Sequence, residues 1–204
     1  MLDRFLHPLS SQLLKPLAQL CVKLKISPNW VTISALGLGF AALPFLIQHQ
    51  YFYALLCVLG NRLLDGLDGA IARQGQSMSP YGAYLDIVCD MLFYGVFVFG
   101  MALALPDHAI WSALLLFSFL GTSSSFLAYA ALKPEQAEST GRGLFFLSGL
   151  IEGSETIGFF VLCCLMPYIY PTLAILFSAL CFLTTLIRLI SVRKHLSAIT
   201  PKKA

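Results

Sequence analysis

Charged side chains are missing from three long stretches of this 204-residue chain: residues 30–47, 109–132 and 156–187. An apolar run of about 20 residues matches the hydrocarbon thickness of a bilayer, where a helix satisfies its own backbone polar groups. The composition agrees. Hydrophobic residues make up 58% of the chain, mean hydropathy is +0.80 and charged residues are only 11%, against about 25% in soluble domains. A water-soluble globule is excluded, as is a disordered chain, which needs the opposite balance. The net charge of +3 is too small for a nucleic-acid-binding surface. None of the six cysteines forms a CxxC pair, and Cys57, Cys163, Cys164 and Cys181 sit inside apolar runs. They read as small buried hydrophobes.

The apolar segments divide into six transmembrane helices, giving an all-α integral membrane protein with one domain. The first span covers 30–47, and the second runs from Tyr51 to Arg73. The third runs from Tyr81 to Leu105, where Pro106-Asp107 breaks it, and the fourth from Ala109 to Leu132. Pro167 and Pro171 divide the remaining apolar stretch into a fifth span, Gly143 to Met166, and a sixth, Thr172 to Ser191, because proline lacks the donor a helix interior requires. Residues 27–192 thus form the bundle and 193–204 a tail. Lysine and arginine collect before the first span (Lys15, Lys23, Lys25), after the second (Arg73), between the fourth and fifth (Lys133, Arg142) and after the sixth. Connections near His49, Asp107 and Tyr168 have none. Both termini are therefore expected in the cytoplasm. In residues 1–26, apolar side chains from Leu2 to Leu24 recur every three or four residues. This predicts an interfacial helix, bent at Pro8 or Pro16. The aromatic residues Phe145, Phe146, Phe159, Phe160, Tyr168 and Tyr170 are expected to face lipid or the interface.

Four aspartates sit where a membrane helix rarely keeps one. A central carboxylate costs about 2.5 to 3.5 kcal/mol on insertion scales. Asp65 and Asp68 are three residues apart on the second span, and Asp86 and Asp90 four apart on the third, so each pair shares a helix face. At 1.5 Å per residue, Asp65 and Asp90 both fall roughly 12 to 14 Å from the cytoplasmic helix ends. Two antiparallel neighbours then bring four carboxylates to one pocket. Arg62 and Arg73 cannot balance all four, so the group must protonate or bind cations. Oxygen ligands favour Mg²⁺ or Mn²⁺, which keep positions open for phosphate oxygens. Gly69, Ala72 and Gly82 leave room for a ligand against helix backbone. Arg73 offers a fork suited to phosphate.

Together these residues read DxxDGxxAR, eight residues, then GxxxDxxxD, from Asp65 to Asp90. This pattern resembles the signature of the CDP-alcohol phosphotransferases (CDP-alcohol phosphatidyltransferases), with all eight fixed positions present. Ser27-Pro28-Asn29-Trp30-Val31-Thr32 is similar to the family's Pro-Asn-x-x-Thr element, and the six-span layout also matches. The resemblance implies transfer of a phosphatidyl group from CDP-diacylglycerol to a small alcohol acceptor, releasing CMP, in phospholipid biosynthesis. It implies that Asp65, Asp68, Asp86 and Asp90 hold one or two Mg²⁺ or Mn²⁺ ions, with Asp90 also the general base. Ser27, Pro28, Asn29, Trp30, Asp68, Gly69, Ala72, Arg73, Ser79 and Gly82 would surround the CDP donor. A homodimer is expected in membrane lipid, in a bacterial inner membrane, with its active site on the cytoplasmic side.

The acceptor stays open. Family members using polyol phosphates often carry Gly-Leu-x-Glu-Arg-x-Glu-Arg, whereas this chain has Gly-Leu-Ile-Glu-Gly-Ser-Glu-Thr at 149–156. Candidate acceptor contacts are Lys133, Arg142, Glu152, Glu155 and Arg188, although the two glutamates serve equally well as a local pair for an arginine. Two alternatives remain in view: transfer of a phospho-headgroup from a CDP-alcohol to diacylglycerol, and a cation transporter using the same acids.

Overall fold

Proline opens two of the helices that carry the aspartates' surroundings, and residues in the left-handed region close three. The computed structural model describes residues 3–132, 151 and 153–199. It contains α1 (Asp3–Lys23), α2 (Pro28–Ile47), α3 (Tyr51–Gln74), α4 (Pro80–Ala104), α5 (Ala109–Leu132), α6 (Gly153–Leu165) and α7 (Tyr170–Ile199). Pro28 and Pro80 sit at the first helical position, where a missing N–H costs nothing. Ser79 caps α4, its Oγ accepting from the Gly82 N–H at 3.0 Å. Lys25, His49 and Gln76 have φ of 56°, 58° and 48° just past α1, α2 and α3. After α2, the Gln50 N–H donates to the Phe45 carbonyl at 2.8 Å and the His49 N–H to Leu46 at 3.0 Å. That is a left-handed helix cap with a non-glycine residue, and it folds α3 back along α2.

The predicted span ends agree with α2 to α5 within two residues. The fifth span is described from Gly153 onward, its first part lying outside the described residues apart from Ile151. Helix α7 continues to Ile199, eight residues beyond the predicted end at Ser191. Among the described residues, four segments are long and apolar enough to cross a membrane: Pro28–Ile47, Pro80–Ala104, Pro106–Leu132 and Pro167–Arg193. Helix α3, with 24 residues, has the length, but Arg62, Asp65, Asp68 and Arg73 lower its apolar character. The 13 residues of α6 are too short on their own.

Helix α2 packs against both α3 and α4, α1 against α3, α6 against α3, α5 against α7, and α4 joins the two groups through α5. Between them lies an aromatic core. Phe97 stacks on Phe160 with ring centroids 4.0 Å apart, and Phe159 stacks on Phe177 at 4.4 Å. Tyr170 is buried, sharing a 2.6 Å hydrogen bond with Ser112. The lipid-facing expectation therefore fails for Phe159, Phe160 and Tyr170. Phe160 of α6 packs on Phe93 and Phe97 of α4, Phe159 meets Phe177 of α7, and Tyr170 opens α7 against Ser112 of α5. Tyr168 just before α7 is exposed, and Phe145 and Phe146 lie outside the described residues. The six cysteines are all free and buried, as their apolar surroundings predicted.

The leucine-rich face of α1 is divided between two neighbours. Leu14, Ala18 and Cys21 pack on Val31, Leu67, Ala70 and Ile71, whereas Leu13, Leu17, Leu20 and Leu24 remain exposed. So α1 braces the segment of α3 that carries the paired aspartates. A close crossing holds α2 against α3 and α4 deeper in the bundle. A Cβ on Gly39 would stand 2.5 Å from Cδ2 of the buried Phe93 and 3.3 Å from Asn61 Nδ2. Gly39→Ala is therefore expected to destabilise the protein by about 1 to 3 kcal/mol through overpacking. Thermal unfolding in detergent micelles checks this, and an unchanged midpoint would show the crossing to be loose.

Candidate active site

Helices α3 and α4 run antiparallel, and their polar faces meet where α2 begins. Oxygens of Asp65, Asp68 and Asp86 lie within 4.8 Å of one another. The i,i+3 spacing on α3 explains the first two. The antiparallel crossing of α4 supplies the third. Asp68 is buried, and its Oδ2 accepts a short hydrogen bond from Thr32 Oγ1 on α2. The Thr32 hydroxyl also lies 3.1 Å from the Pro28 carbonyl, one turn earlier. A single α2 side chain thus ties the carboxylate to the helix entrance.

Asp90 falls outside that three-carboxylate group. Its Oδ1 accepts from Arg62 Nη2 at 2.7 Å, and its Oδ2 from Tyr94 Oη at 3.4 Å. Arg62 Nη1 stands 3.4 Å from Asp65 Oδ2, so the guanidinium lies between the two aspartates. Sequence reasoning considered Arg62 only as a counter-charge and missed its fixed position. The signal available was its place three residues before Asp65 on the same helix face.

Beside the carboxylates opens a cleft of about 560 Å³. Pro28, Asn29 and Thr32 of α2 line it, with Asp68, Gly69, Ala72 and Arg73 of α3. The turn and first part of α4 complete it through Ser77, Met78, Ser79, Pro80, Gly82, Ala83 and Asp86. Both glycines are close-approach positions. A Cβ on Gly82 would meet Ser79 Oγ at 3.2 Å and Asn29 Oδ1 at 3.3 Å, and one on Gly69 would meet Arg73 Nη1 at 3.1 Å. The Arg73 head therefore folds back over Gly69 at the cleft wall.

Of the ten residues expected around a CDP donor, eight line this one space. The other two do not: Ser27 sits exposed at the start of α2, and Trp30 is 69% exposed. Thr32, the threonine of the Pro-Asn-x-x-Thr element, lines it too, and Ser77, Met78, Pro80 and Ala83 are additions that neither motif singled out. The candidate acceptor residues are elsewhere. Arg188 is buried on α7, donating through Nη1 to the Thr122 carbonyl at 2.9 Å, with Phe126 beside its guanidinium. Glu155 on α6 accepts from Ser154 Oγ at 3.3 Å. Neither lines the cleft. Lys133, Arg142 and Glu152 lie outside the described residues.

Comparison with known proteins agrees with this arrangement. The chain is 45% identical over 197 residues to Inner membrane protein YnjF of Escherichia coli (strain K12), covering 92% of this chain and 93% of that protein. A shorter match, 34% identical over 82 residues, links 40% of the chain to 29% of a CDP-diacylglycerol–serine O-phosphatidyltransferase of Mycobacterium bovis. The fold is similar to that of Mycobacterium tuberculosis phosphatidylinositol phosphate synthase. Its manganese and citrate complex aligns with a TM-score of 0.74 at 21% identity, covering 88% of each chain. The same protein with CDP-DAG bound gives 0.73 at 22% identity, over 89% of this chain and 94% of that one. The family model described as CDP-alcohol phosphatidyltransferase matches residues 25–190, which takes in the cleft, all four aspartates, helices α2 to α6 and α7 as far as residue 190. With that span matched, and six of the eight motif residues lining one cleft, the chain belongs to the CDP-alcohol phosphatidyltransferase family.

Proposed function

We propose that the protein is a metal-dependent transferase that moves a phosphatidyl group from CDP-diacylglycerol to a small alcohol, releasing CMP. The observation that carries this reading is the junction of carboxylates and cleft: Asp68 and Asp86 belong to both. The set of three carboxylates suits a hard divalent ion, Mg²⁺ or Mn²⁺, by ligand type and number. Such an ion neutralises charge on the diphosphate and on the transferring phosphoryl group.

The chain's own residues do the rest. Asp65, Asp68 and Asp86 hold the ion, and Thr32 keeps Asp68 aimed at it. Arg73 presents its fork to a phosphate at the cleft wall. The cytidine end occupies the space that Gly69 and Gly82 leave open beside Asn29 and Ser79. Asp90 accepts the proton of the acceptor hydroxyl as its oxygen bonds to the lipid-side phosphorus. The diphosphate P–O bond breaks, and its electron pair leaves with CMP.

In the proposed setting α2 to α7 cross a bacterial inner membrane and α1 lies along its surface, with termini and cleft on the cytoplasmic side and two copies forming a dimer. Lysine and arginine asymmetry supports the orientation. The exposed leucines of α1 support its contact with lipid, and the Escherichia coli relative is named an inner membrane protein.

The test is CMP release by purified protein with Mg²⁺, offering CDP-diacylglycerol with a panel of acceptors. Glycerol phosphate, inositol phosphate, serine, glycerol and phosphatidylglycerol form the panel, and the lipid product identifies the acceptor. Release only when a CDP-alcohol is offered with diacylglycerol would reverse the direction of transfer. Metal flux into liposomes without nucleotide would replace the reading with a transporter.

Two substitutions sharpen it. Asp90→Asn is expected to lower CMP release by about 100-fold or more, the usual scale for a lost general base, while CDP-lipid binding stays within about twofold. Arg73→Ala is expected to weaken CDP-lipid binding by about tenfold, since it removes a charge-assisted phosphate contact. Near-normal turnover in the first variant, or unchanged binding in the second, removes that residue from its role.

A further inference from the structure

Arg62 is clamped more firmly than a counter-charge needs to be. Its Nε donates to Asn61 Oδ1 at 2.8 Å. Asn61 is itself only 2% exposed and anchors to the α2 backbone, donating through Nδ2 to the Ala35 carbonyl at 2.7 Å. The guanidinium lies 4.9 Å from the centre of the Phe93 ring and 5.8 Å from that of Tyr94. Backbone, amide and two aromatic faces therefore hold one head group. It points its two remaining nitrogens at Asp90 and Asp65, at 2.7 and 3.4 Å.

The guanidinium thus lies between Asp65 and Asp90, so a second divalent ion shared by that pair would meet it. A guanidinium keeps its positive charge at every pH the protein meets, so it repels such an ion permanently. Asp65 then faces two ways, towards Asp68 and Asp86 on one side and towards Arg62 on the other. Arg62 lies outside the eight fixed positions of the motif and three residues ahead of it.

We propose that Arg62 is a positioning residue that takes the place of a second metal ion. The donor-free protein then binds one divalent ion, at Asp65, Asp68 and Asp86, while Arg62 keeps Asp90 out of its coordination. This rests on the metal-dependent reading of the proposed function.

The experiment is a Mn²⁺ titration of the full chain in detergent micelles without donor, counting free Mn²⁺ by electron paramagnetic resonance. The wild-type protein is expected to bind one ion per chain. Arg62→Met is expected to bind two, and Arg62→Lys, which restores a cation, to return to one. Asp90→Asn is expected to leave wild-type Mn²⁺ affinity within about twofold. A merely structural Arg62 would not change the count and would not be rescued by lysine. Two ions on the wild-type chain, an unchanged count in Arg62→Met, or a tenfold loss of affinity in Asp90→Asn would each overturn the proposal. Should Arg62→Met fail to fold, the wild-type count and the Asp90→Asn affinity decide it. Absence of any Mn²⁺ binding would overturn the metal reading as well. One bound ion without CMP release from any donor would instead leave the Arg62 assignment standing and remove the transferase.

Discussion

Carboxylates inside a low-dielectric bundle must find a cation, and this requirement organises the centre of the molecule. An uncompensated buried charge costs several kcal/mol or more, so α3 and α4 can meet only where their aspartates are answered. Arg62 answers Asp90 and Asp65 directly. The hydroxyls of Thr32 and Tyr94 answer single oxygens of Asp68 and Asp90. The balance is a group of three carboxylates beside an open cleft, and the proposed function rests on that arrangement.

The rest of the fold keeps that junction in register. Helix α2 touches it twice: Thr32 reaches Asp68, and the Ala35 carbonyl holds Asn61 and through it Arg62. The tight contact at Gly39 sets the depth of α2 against Phe93. From the outer side α1 packs its Leu14 and Ala18 against α3. Across the bundle, the stacked rings of Phe97 and Phe160 tie α4 to α6. Cleft and acidic group thus come entirely from the stretch between Pro28 and Asp90, and the later helices buttress it.

Much of this was legible in the sequence because it depends on local spacing. Proline at 106, 167 and 171 marks where one helix gives way to the next, and the i,i+3 and i,i+4 intervals among the aspartates place each pair on one face. The fixed glycines predict where backbone must stay bare. Other features depended on contacts between distant helices. Burial of Phe159, Phe160 and Tyr170 was not readable, because a membrane helix is apolar all round and its periodicity does not separate core from lipid. The clamp on Arg62 needs the Ala35 carbonyl from α2 and the Phe93 ring from α4, neither of which its own neighbourhood predicts. The divided face of α1 was missed for the same reason. A leucine stripe reads identically whether it meets a bilayer or another helix.

The pairing of Arg62 with Asp65 has one more consequence, for biogenesis. The two residues are a single turn apart on α3, so they form an ion pair without help from any other helix. In the proposed membrane setting, α3 reaches the lipid phase before α4 has been made to supply its own residues. A neutralised pair lowers the penalty of partitioning that segment into the lipid phase, which each charged side chain alone raises by about 2.5 to 3.5 kcal/mol. In that setting the arginine eases entry of an acidic helix into the bilayer before its partners are made.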